Sequence, residues 1–73
     1  MISEINKLQE YLYLEMKMPP TIKSMTWNIQ GTVDIEVDSF KGGREIIEKK
    51  IRKYGKKFNL EINDIYNVND YRF

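Results

Sequence analysis

The sequence predicts an α+β domain, a two-layer sandwich in which two helices lie on one face of a small antiparallel three-stranded sheet, in the order α-β-β-α-β. Three observations carry that expectation. Apolar residues recur every three or four positions near the start of the chain and again from Ile47 to Phe58. Between those stretches they alternate strictly, with Met25, Trp27, Ile29, Val33, Ile35 and Val37 all at odd positions. Pro19-Pro20 and Gly42-Gly43 fall between the periodic stretches, where chain breaks are needed.

The first helix is expected over about Ser3 to Lys17. Ile2, Ile5, Leu8, Leu12 and Met16 form its apolar stripe. Ser3 suits the N-cap, since its hydroxyl can accept from a free amide of the first turn. Pro19-Pro20 ends the segment, because proline supplies no N–H and drives the preceding residue out of the helical region.

The alternating stretch reads as a hairpin broken near Gly31. A three-residue loop, Gln30-Gly31-Thr32, pairs Ile29 with Val33 and Trp27 with Ile35 on one face. A two-residue loop would turn Val33 to the other face. A single strand bent at Gly31 is the alternative.

The second helix is expected over about Arg44 to Lys57, with Gly55 weakening its last turn. Ile47, Ile51, Tyr54 and Phe58 fall within about 60° of one another on the helical wheel, a narrow core stripe. The last strand runs from about Phe58 to Val68, with a bulge near Asn63-Asp64 where Ile65 breaks the alternation. Residues 69–73 read as a loose tail. A helical crossover makes the second and third strands parallel to each other, and the simplest layout places the first strand between them, antiparallel to both.

Composition narrows the function classes. The 73 residues read as a single domain, 1–73, small enough that self-association or a partner would add useful stability. Cysteine and histidine are both absent. That excludes disulfides, Cys- or His-bearing zinc sites, histidine general bases and Ser–His or Cys–His dyads. No enzyme and no cofactor are expected. Lack of cysteine fits a reducing cytoplasm. No apolar run reaches the ~18 residues of a membrane span, and Met1-Ile2-Ser3-Glu4 does not open as a signal peptide does.

Net charge is +1, but its distribution is uneven. Residues 41–57 hold eight basic residues against two acidic ones, a net of +6. The remainder holds four basic and nine acidic residues, a net of −5. The reading is a basic helix on a mildly acidic body.

Four surfaces are candidates for function. Asp34, Glu36 and Asp38 point the same way along a strand at intervals of ~6.6–7 Å, a spacing open to a divalent cation, to paired acid–base work or to a basic partner. The ordinary reading of such a row is a solvated strand face. Lys49, Arg52, Lys53, Lys56 and Lys57 cover the outer side of the second helix and could neutralise phosphates without reading sequence. No aromatic residues are interleaved there to stack on bases, and a solvated face is again the ordinary reading.

Lys41-Gly42-Gly43-Arg44 could hold a phosphate at a helix start, although its spacing matches no nucleotide-binding fingerprint and a plain turn explains it as well. Finally, Tyr11, Tyr13, Leu14, Met16 and Met18 make the first helix and its exit more widely apolar than one sheet face requires, with Leu14 opposite Ile5. Some of these residues complete the core, and the rest resemble a protein interface.

The expectation is therefore a small non-catalytic regulatory protein that binds a protein partner or self-associates as a homodimer. Tyr11, Leu14 and Met18 would provide contact, together with Asp34 and Glu36 on the polar sheet face. Weak nucleic-acid binding by the second helix is the alternative.

Overall fold

The computed structural model describes residues 3–68. Ile2 and the tail at 69–73 lie outside the described residues. Five elements follow in the expected order: α1 Glu4–Glu15, β1 Ile22–Trp27, β2 Val33–Val37, α2 Arg44–Phe58 and β3 Ile62–Asn67. Both helices pack on one face of the sheet. Leu8 and Leu12 of α1 and Ile47, Ile51 and Tyr54 of α2 share one buried cluster with Ile22, Val33, Ile35, Val37 and Ile65.

Ser3 caps α1 as its hydroxyl predicts, with its Oγ accepting from the Asn6 N–H at 3.2 Å. The helix stops at Glu15, earlier than the prolines require. Met16 still donates to Leu12 O but adopts an extended backbone, and its side chain turns onto the core. Packing, more than proline, sets this end.

The hairpin keeps its predicted faces but not its register. Trp27 pairs with Val33 and Met25 with Ile35. The loop is Ile29-Gln30-Gly31, closed by Asn28 N–H donating to Thr32 O at 2.8 Å. A three-residue loop needs positive φ at its last position, and Gly31, at φ +88°, takes that place. The loop therefore begins one residue earlier than expected and the pairing slides by two. Met25, Val33, Ile35 and Val37 still face the helices, because side chains repeat every two residues, whereas an irregularity at Lys23 brings the even-numbered Ile22 onto the same face. Ile29 moves from the core face to the hairpin tip and is fully exposed.

The sheet is mixed, not wholly antiparallel. β2 is the central strand, antiparallel to β1 and parallel to β3. The expected parallel relation of β2 and β3 is present, but the two are direct neighbours, with no β1 between them. The physical reason lies on the outer edge of β1. There the Gln9 side chain of α1 donates to Pro20 O at 2.9 Å and accepts from Ile22 N–H at 2.8 Å. It occupies the start of the edge to which β3 would have had to add. α2 instead returns the chain beside β2, whose Val33, Ile35 and Val37 are all buried.

α2 runs through Gly55 and one residue past the predicted end, closing at Asn59 in the left-handed region (φ 62°). Phe58 is consequently the last helical residue, not the first of a strand. Gly55 is buried because the segment leading to β3 crosses directly over it. A Cβ there would lie 2.7 Å from Leu60 O and 2.8 Å from Ile62 Cγ1. The predicted irregularity in β3 is present. Ile62 pairs with Val33 and Asp64 with Asp34, leaving Asn63 as the extra residue. Among the described residues, no helix is long and apolar enough to cross a membrane.

Candidate interaction surfaces

The first surface lies on α1 and its exit. Leu14 is 85% exposed, Met18 82% and Tyr13 64%, while Leu8 and Leu12 on the same helix are fully buried. Tyr11 belongs to a different environment from Leu14. Its ring meets that of Tyr54 edge-on at 5.5 Å and packs against the core. Met16 also packs there. The over-wide apolar surface of α1 thus divides. Tyr11 and Met16 finish the core, and Tyr13, Leu14 and Met18 face solvent.

The second surface is the outer side of α2, where the five expected cations have unequal surroundings. Arg52 is committed to the fold: its guanidinium donates to Ile62 O at 2.9 Å and Asn63 O at 3.3 Å. These bonds tie the helix to the bulged start of β3. Lys53 shares Glu15 with Lys50, at 3.6 Å and 3.1 Å respectively. The bond from Lys50, followed by the charges of Lys50 and Lys53, holds the Glu15 carboxyl below its usual range. Lys57 Nζ lies 5.8 Å from both the Tyr11 and Phe58 ring centroids. Lys49 and Lys56 are exposed and make no ion pair among the described residues.

The third surface is the open face of the sheet, formed by Ser24, Thr26, Asp34, Glu36, Asp64 and Tyr66, which stand at matching register positions. Asp34 accepts from Asn63 Nδ2 at 2.9 Å, and Glu36 accepts from Ser24 Oγ at 3.2 Å. Asp38 sits beyond the strand and accepts from Thr21 N–H at 2.8 Å. The three carboxylates that share a side in the sequence therefore have separate neutral partners. Among the described residues, no three acidic groups gather where they could hold a metal ion.

The segment Lys41-Gly42-Gly43-Arg44 is a turn before α2, with both glycines at positive φ. Arg44 lies 4.3 Å over the Phe40 ring and bonds Glu48 at 3.0 Å.

Two structural roles escaped sequence reading, those of Gln9 on β1 and Arg52 on β3. Both act on backbone groups of residues distant along the chain, so no spacing pattern marks them. The exposure of Ile46 is different: it could have been read, because Ile46 lies outside the narrow stripe of Ile47, Ile51 and Tyr54. No protein-family model, curated protein or solved structure matches the chain.

Proposed function

We propose that this chain is a small non-catalytic interaction protein of the cytoplasm. It acts by binding a larger macromolecular partner or by self-association. The observation that carries the reading is the exposure of Leu14, 85%, in the last turn of α1 and of Met18, 82%, in the segment that leaves it, while Leu8 and Leu12 of the same helix are buried. Large apolar side chains held open to water on an ordered element cost nothing to desolvate and gain on contact. With no histidine or cysteine, and with Asp34, Glu36 and Asp38 each hydrogen-bonded to a neutral group, general acid–base or nucleophilic chemistry finds little support.

The test compares wild type with Leu14→Asp by sedimentation velocity and by affinity capture from the native host. The reading expects the variant to stay folded and to lose either self-association or a specific captured protein. Unchanged mass and unchanged capture would remove Leu14 from the interface.

The second reading, weak sequence-independent nucleic-acid binding through α2, draws on Lys49 and Lys56, which are exposed and make no ion pair among the described residues. It expects affinity that falls with salt, with a log–log slope that drops by about one per lysine removed. Absence of a gel shift with single- and double-stranded nucleic acid at low salt would end it.

A further inference from the structure

The two charged surfaces lie on opposite sides of the two-layer fold. The helices cover one face of the sheet, so the outer side of α2 and the open sheet face point away from each other. On the helix side stand Lys49, Arg52, Lys53, Lys56 and Lys57. Arg52 donates there to the carbonyls of Ile62 and Asn63. On the sheet side stand Asp34, Glu36 and Asp64.

We infer that the open sheet face docks the α2 face of a second copy of this chain. This rests on the reading of the sheet face as a contact surface and uses no residue of α1. Charge complementarity selects the occupant. A chain that sets Lys49, Arg52, Lys53, Lys56 and Lys57 on one side and Asp34, Glu36 and Asp64 on the other carries both halves of an attractive contact, and its near-neutral net charge of +1 removes the repulsion that would keep copies apart.

Symmetry determines the form of the contact. A two-fold dimer uses the same surface of both copies, and because the acidic and basic faces lie on opposite sides of the fold, one such surface does not hold both. The attractive contact is head-to-tail, and it leaves one face of each kind open at the ends, so association does not stop at two copies unless a ring closes.

Sedimentation velocity on the full chain tests this at about 10 mM and about 1 M salt, where charges act over ~30 Å and ~3 Å. At low salt the average mass should climb above the 8.8 kDa monomer with concentration and pass the dimer, returning to monomer at high salt. The double variants Lys49→Glu/Lys56→Glu and Asp34→Lys/Glu36→Lys should each weaken association, because the first sets two carboxylates among the three remaining cations of the helix face and the second puts two lysines on the sheet face. Mixed together, they should associate.

Circular dichroism checks the fold of each variant. If a double variant unfolds, Lys56→Glu and Glu36→Lys replace the pairs. A monomer at low salt, a mass insensitive to salt, charge variants that associate like wild type, or an inert mixture would each overturn the inference. Association lost in Leu14→Asp but kept in the charge variants would overturn it while leaving the α1 interface standing.

Discussion

Lys50 Nζ donates to Glu15 Oε1 at 3.1 Å, joining the last turn of α1 to the middle of α2. The two residues are 35 positions apart in the chain. With Lys53 at 3.6 Å, Glu15 becomes the polar clasp between the helices, alongside the buried contact of Tyr11 with Tyr54.

Acid should open this clasp. Lys50 and Lys53 hold the Glu15 carboxyl below the usual glutamate range in the folded protein. Its contribution to stability is therefore present above the unfolded-state value and is lost as pH falls through the folded-state value. Urea unfolding at pH 7 should find Glu15→Gln less stable than wild type. The difference should shrink toward zero at about pH 3, below the ordinary glutamate range. An equal difference at both pH values would contradict this role.

Alkali should act through Tyr54. Burial first, then the nearby Glu4 carboxylate, pushes its hydroxyl up to about 12 from 10.0. The unfolded chain therefore releases this proton before the folded chain does. Stability should fall as pH rises through about 10 and level off above about 12. Tyr54→Phe should lack that part of the decline. Parallel alkaline unfolding curves for the two proteins would count against it.

Leu12 and Leu14 are two residues apart but in opposite environments, fully buried and 85% exposed. Leu12→Ala should cost about 2–5 kcal/mol, as removal of a packed side chain does. Leu14→Ala should stay within about 0.5 kcal/mol of wild type. Chemical denaturation of both variants measures the contrast, and similar losses would mean that Leu14 is packed.

Gly55→Ala should destabilise the fold by about 1–3 kcal/mol, despite the better helix propensity of alanine. The new methyl group would meet Leu60 O at 2.7 Å, and backbone cannot rotate away as a side chain can. Lys56→Ala, one residue on and exposed, serves as the control and should change little. Thermal unfolding that ranks the two variants equally would show that the crossing segment yields.

Local chemistry was readable in the sequence wherever the cause lies within a few residues. The Ser3 cap, the alternating faces of β1 and β2, the Ile47–Ile51–Tyr54 stripe and the bulge before Ile65 all depend on period or on a single side chain beside its own backbone. Candidate surfaces were legible to the same extent. Leu14 and Met18 stood outside the core stripe, and the basic residues of α2 stood opposite it.

Tertiary structure decided what depends on partners distant in sequence. Gln9 lies on the edge of β1, β3 lies beside β2, Arg52 is tied to the carbonyls of Ile62 and Asn63, and Gly55 lies beneath Leu60. Periodicity reports which side of an element faces inward. It carries no information on which element lies beside it, because that choice is made by backbone hydrogen bonds and close packing between segments that meet only in the folded chain.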